Sequence, residues 1–126
     1  MYYYELHMHT SDTSRCGRSP AADMVAAYKQ KGFTGVVVTD HLMNVQSHAE
    51  PEIDWNRRVE KQLAGYYAAL EAGEKLGLTV YCGWELTYQD NAEDYLTLGL
   101  SPQFLYDHPW LERYDIEKYR DAVHAA

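Results

Sequence analysis

The stretch Phe33-Thr34-Gly35-Val36-Val37-Val38-Thr39 constrains the fold more than any other part of the chain. It is a short β-branched run that follows Lys31-Gly32 and shows no alternation of apolar with charged positions. A strand of that kind is buried on both faces, and the usual way to cover both is a parallel sheet flanked by helices.

The neighbouring sequence supplies the rest of such a sheet. Tyr2 to Met8 alternates as a strand, which predicts Tyr2, Tyr4, Leu6 and Met8 on one face and Tyr3, Glu5, His7 and His9 on the other. Ser19-Pro20 predicts an N-cap with proline at the first helical position, opening a helix through Met24, Val25 and Tyr28 to Lys31-Gly32. A polar loop from Asn44 to Asp54 leads into one long helical pattern, with Trp55, Val59, Leu63, Tyr66 and Leu70 at spacings of three and four and Gly77 as its stop. Leu78 to Trp84 predicts a third strand and Asp94 to Leu100 a fourth. The interval between Glu85 and Asp94 is too short for a helical crossover, so that connection is a hairpin or an irregular excursion. Ser101-Pro102 starts a short helical turn, and Asp115 caps a last helix carrying Ile116, Tyr119 and Val123. The whole, residues 1–126, reads as a single α/β domain without internal repeats.

Composition narrows what such a domain does. Hydrophobic residues make up 46% of the 126, enough for one core and too many for a disordered chain. The net charge of −8 argues against nucleic-acid binding driven by charge, although a bound metal ion would invert the sign locally. Cys16 and Cys82 are too few for a disulfide scaffold, and neither a membrane span nor a signal peptide is legible, so a cytoplasmic protein is the expectation. Twelve Tyr against two Phe imply apolar faces with polar rims.

In parallel α/β sheets functional residues gather at the carboxyl ends of the strands. Here those ends read His7-Met8-His9, Thr39-Asp40-His41 and Gly83-Trp84-Glu85, so three successive strands deliver imidazole or carboxylate to one edge. Both groups are ligands for zinc, manganese or iron. Each has a plainer alternative when taken alone: two histidines facing a polar cleft, His41 capping a loop, Glu85 as a surface charge. Their agreement in position favours a metal centre, because a carboxylate among imidazoles is costly to bury unless something positive sits with it.

His7-Met8-His9-Thr10-Ser11, Thr39-Asp40-His41 and Gly83-Trp84-Glu85, in this order and spacing, resemble the first three motifs of the PHP (polymerase and histidinol phosphatase) family. The resemblance implies a distorted TIM-like β/α barrel with up to three zinc, manganese or iron ions at the strand ends. It also implies metal-dependent hydrolysis of a phosphate ester, with a phosphorylated small molecule or nucleotide as substrate. By position, His7, His9 and His41 match metal ligands, Glu85 matches a carboxylate bridging two ions, and Asp40 supports the ligands from behind. Two departures stand out. Where the family carries an aspartate for a third ion, this chain has Ser14-Arg15-Cys16-Gly17, so Cys16 binds as a thiolate that favours zinc, Asp12 substitutes weakly, or that ion is absent. Asp94 stands where many members place a histidine; it is a ligand suited to manganese or iron, or only a polar strand end. Arg15 and Arg18 could grip a phosphate, or be solvated loop residues. His48 and His108 match no family ligand, and His124 is expected on the polar face of the last helix.

The resemblance further implies that residues 1–126 hold about half of the family barrel, some four strands, with the later histidine and aspartate motifs absent. A barrel of this type runs to roughly 250 residues. Three arrangements follow: a part of a longer phosphoesterase, a half-barrel that pairs with a second copy to cover its open edge, or a metal-binding or interaction module without catalysis.

Overall fold

The computed structural model describes residues 1–42, 54–87 and 93–126. Four strands, β1 (Tyr4–Met8), β2 (Gly35–Val38), β3 (Thr79–Thr87) and β4 (Asp94–Leu98), form one sheet in the order β1-β2-β3-β4. The first three are parallel and β4 runs antiparallel to β3, pairing Gly83 with Leu98 and Thr87 with Asp94. This is the strand pattern of a partial barrel, with a β3–β4 return in place of a helical crossover. Most of the predicted loop from Asn44 to Asp54, and His48 with it, lie outside the described residues, as does the middle of the β3–β4 connection.

Helices fill the crossovers. Between β1 and β2 lies α1 (Ala21–Gln30); between β2 and β3 lie α2 (Trp55–Gln62) and α3 (Ala64–Leu76). All four residues of β2 are buried, as the glycine-bounded valine run requires. On the helix side, Met8, Val36, Val38 and Val80 pack with Ala21 and Val25 of α1 and Ala69 of α3. Each fully buried valine contributes about 1.5–3 kcal/mol through water excluded from its surface. A second apolar cluster joins Cys82, Trp84 and Leu86 of β3 to Trp55 and Val59 of α2, Phe104 and Leu105 of α4 (Gln103–Asp107), and Tyr119 of α5 (Ile116–Ala125).

Three expectations need correction. The strict alternation of β1 fails: Glu5 pairs with Val36 and Met8 with Val38, so Leu6 and His7 together stand against the single Val37. One extra residue in a strand reverses which face the following side chains take. Glu5 consequently faces α1, where it accepts a hydrogen bond from the Tyr28 hydroxyl (3.1 Å), while His7 and His9 face the other way. The long helix of residues 55–76 breaks at Leu63 into α2 and α3; its apolar spacing is helical throughout and carries no mark of the break. Finally, Ser19 does not cap α1. Pro20 occupies the cap position, and the Asp12 carboxylate accepts from Ala21 N, which has no acceptor within the helix, at 2.7 Å from across the loop. The other ends follow the sequence: Asp115 caps α5 by accepting from Lys118 N (2.7 Å), and Gly77 ends α3 in the left-handed conformation.

Candidate metal centre

Parallel register brings the carboxyl ends of β1, β2 and β3 level, and one buried aspartate ties them together. Asp40 accepts from Thr10 N (2.7 Å), Thr10 Oγ1 (2.7 Å) and Ser14 Oγ (2.7 Å). Its own carbonyl accepts from Glu85 N (3.2 Å) and Gln62 Nε2 (3.1 Å). Ser14 Oγ in turn accepts from His41 N (3.0 Å), and His41 bridges to Glu85 in parallel fashion. Just below, Met8 N donates to Thr39 Oγ1 (3.0 Å) and Thr39 N to Met8 O (2.8 Å), which fixes β1 against β2 between the two histidines of the first motif. Gly65, in the first turn of α3, lets that helix close on this knot: a Cβ there would lie 2.4 Å from Asp40 Oδ2 and 2.2 Å from Thr10 Oγ1.

Above the knot the ligand-type groups converge. Glu85 is only 3% exposed, and its Oε2 lies 2.7 Å from His9 Nε2, 3.2 Å from His7 Nε2 and 3.5 Å from His41 Nδ1. The Nε2 atoms of His7 and His9 are 3.0 Å apart. On its other side, His9 Nδ1 lies 2.9 Å from Cys16 Sγ. Two three-residue groups result, His7/His9/Glu85 and His9/Cys16/His41, each with all ligand atoms within 4.8 Å of one another.

The donor chemistry of this cluster fits a divalent cation. Three imidazoles aim nitrogens at one buried carboxylate oxygen, and two of those nitrogens face each other at hydrogen-bond distance. A neutral imidazole has one N–H and one lone pair, so these contacts cannot all be hydrogen bonds between neutral rings. Burial first, then the neighbouring His41, push His9 below the ordinary imidazole value, against the opposing pull of Glu85. Protonation is thus disfavoured where positive charge is needed, and a cation among the lone pairs resolves the conflict.

The remaining candidates sit apart from these two groups. Asp94 is exposed at the start of β4 and accepts a hydrogen bond from Thr87 Oγ1. Arg15 and Arg18 are exposed in the loop that carries Cys16, and Asp12 is engaged with α1. His108 packs on Phe104 and contacts the Phe104 carbonyl (2.8 Å), and His124 is exposed on α5. Sequence reasoning missed the roles of Thr10, Ser14, Gln62 and Gly65 in holding the cluster. Thr10 had a local signal, directly following the histidine motif; Gln62 and Gly65 become meaningful only once α2 and α3 dock on Asp40.

A model of the PHP domain family matches residues 5–123. No curated protein matches the chain. Solved structures resemble it as well, among them the following two. One is a two-domain protein of Bacteroides vulgatus containing a predicted PHP-like metal-dependent phosphoesterase, 22% identical with a TM-score of 0.62, covering 96% of this chain and 32% of its own. The other is a candidate metal-dependent phosphoesterase of Bifidobacterium adolescentis, 24% identical with a TM-score of 0.53, covering 77% of this chain and 27% of its own. The chain therefore spans about a third or less of either protein, and the likeness is one of fold.

Proposed function

The chain belongs to the PHP domain family, and on that premise we propose that it carries the metal centre of a phosphoesterase that hydrolyses phosphate esters. The observation that carries this reading is the convergence of His7, His9 and His41 on one buried oxygen of Glu85. His7, His9 and Glu85 hold the first divalent ion, and His41 stands beside them. When bound, such ions neutralise phosphate charge, lower the pKa of water to give a nucleophile, and stabilise the leaving oxygen. The chain's own contribution is positional. Asp40 clamps the strand ends, so that the ligands need little reorganisation. Arg15 and Arg18 are exposed where forked hydrogen bonds to phosphate oxygens could be made. The ions are manganese, iron or zinc, and the substrate is a phosphorylated small molecule or nucleotide.

The test is phosphate release from small phosphomonoesters by protein loaded with manganese or zinc. Activity lost in His9→Ala and Glu85→Ala, with the fold retained by circular dichroism, is the expected result. A folded protein that binds no divalent ion overturns the reading.

One further observation favours a second reading, a metal-binding unit that turns over only when something covers it. The sheet face bearing Glu85 also bears Tyr4, Tyr81, Leu96 and Leu98, and these are 40–44% exposed. A contiguous apolar row on one sheet face is ordinarily buried against another layer. Tight metal binding without phosphate release, with activity gained when a second chain or segment is supplied, would distinguish this reading from the first.

A further inference from the structure

We propose that Cys16 and His41, sharing His9, form a second cation position that selects zinc over manganese through the Cys16 thiolate. The inference rests on the metal-dependent reading above and adds to it which ion goes where.

Three observations carry it. First, the donor sets on the two sides of His9 differ in kind. Its Nε2 faces the His7 nitrogen and the Glu85 carboxylate, whereas its Nδ1 faces a sulfur at 2.9 Å. Imidazole with carboxylate accepts manganese, iron or zinc, but a thiolate is a soft ligand that manganese takes up poorly and zinc takes up well. Second, the sulfur sits on a hydrogen-bonded loop. Ser14 N donates to Thr10 O (2.9 Å) and Gly17 N to Ser14 O (3.0 Å), while Ser14 Oγ is pinned between Asp40 and the His41 amide. Gly17 lies so close to the backbone that a Cβ would stand 2.2 Å from Thr10 O, so a residue with a side chain cannot follow Cys16 without moving the loop. The hydrogen bond from the His41 amide to Ser14 also ties the strand end carrying one ligand to the loop carrying the other. Third, the other cysteine is excluded: burial pushes the Cys82 thiol up to about 12, and it lies in the apolar cluster behind β3.

The two positions are coupled through His9. A neutral ring has one lone pair, so His9 serves either the ion held with His7 and Glu85 or the ion held with Cys16 and His41. Cys16 and His41 are the fixed ligands of the soft position, and His9 is its shared one. On binding, the Cys16 S–H bond breaks, the sulfur's electron pair goes to the ion and the proton goes to solvent.

Cobalt(II) tests this, because sulfur-to-cobalt charge transfer adds a near-ultraviolet band that nitrogen and oxygen ligands do not give. Metal-free full chain titrated with cobalt should develop that band. Zinc should bleach it, and manganese at the same concentration should not. Cys16→Ser should lose the band while keeping the visible absorption of cobalt held by His7, His9 and Glu85. His41→Ala should weaken the thiolate position about tenfold or more. Cys16 is exposed, so its substitution leaves the core intact. Cobalt bound without a thiolate band would overturn the proposal and reduce Cys16 to a hydrogen-bond acceptor for His9 Nδ1–H, leaving the phosphoesterase reading standing. A band that survives in Cys16→Ser would also overturn it. No binding of cobalt at all would overturn both.

Discussion

Asp40 shows how much of the site depends on a residue that touches no candidate ion. Its carboxylate receives three hydrogen bonds of 2.7 Å, from Thr10 twice and from Ser14, and it is 2% exposed. Asp40→Asn keeps the shape but puts an N–H₂ where an acceptor is needed. The expected cost is about 1–3 kcal/mol in chemical denaturation, from buried donors left facing a donor, together with weaker metal binding as the Ser14–Cys16 loop loosens. At His9 the expectation concerns pH. Its basicity is depressed in the folded metal-free chain, so as pH falls below the ordinary value of 6.5 the unfolded chain takes up a proton that the folded chain resists. Unfolding is then favoured by acid, and the stability that His9 allows at neutral pH declines from about 6.5 downward, until the folded ring is also protonated. Melting curves of the metal-free protein should show that slope, and His9→Gln should flatten it. Of the residues involved, His7, His9, His41 and Glu85 were legible as candidates from their strand-end positions. Their meeting at one oxygen was not, because it needs the register of three strands separated by crossovers. Ser14, Gln62 and Gly65 are ordinary residues in the sequence and gain roles only from what docks on Asp40.

At the level of elements, β2 was readable because an uninterrupted valine run leaves little choice of environment, and α5 because Asp115 caps it locally. The bulge in β1 was not readable. Tyr-Glu-Leu-His-Met alternates as well as any strand, and only pairing to β2 shows that Leu6 and His7 share one opposing residue. That extra residue matters to the site, since it lets Met8 enter the helix-side core while His7 and His9 face Glu85. The break at Leu63 has a similar consequence: it lets α3 begin at the Asp40 knot, with Gly65 N donating to Thr13 Oγ1 (3.0 Å). Gly65→Ala should destabilise the fold by about 1–3 kcal/mol through overpacking, and it should lower metal affinity too, since the atoms it strikes are Thr10 Oγ1 and Asp40 Oδ2. A control lies in the other cluster, where Trp84 Nε1 donates to Tyr119 Oη at 2.6 Å. Tyr119→Phe strands a buried indole N–H and should cost a similar amount in a denaturant melt, yet leave metal affinity unchanged.

Taken as a whole, the molecule has one well-covered sheet face and one that carries the candidate metal ligands beside an exposed apolar row. Among the described residues no helix is long and apolar enough to cross a membrane. Replacing Leu98, 40% exposed on that face, with a lysine should leave the melting temperature nearly unchanged and reduce any self-association seen by sedimentation. The acidic balance of the chain acquires a local meaning: Glu85 is a negative charge buried among imidazoles, in the place where a cation would stabilise it. The most direct test of that claim is a calorimetric titration of the metal-free protein with zinc and with manganese, repeated on Glu85→Gln. The wild-type chain is expected to bind divalent ions, and Glu85→Gln, still folded, to bind them at least about tenfold more weakly. Equal binding by both proteins, or none by the folded wild type, would contradict it.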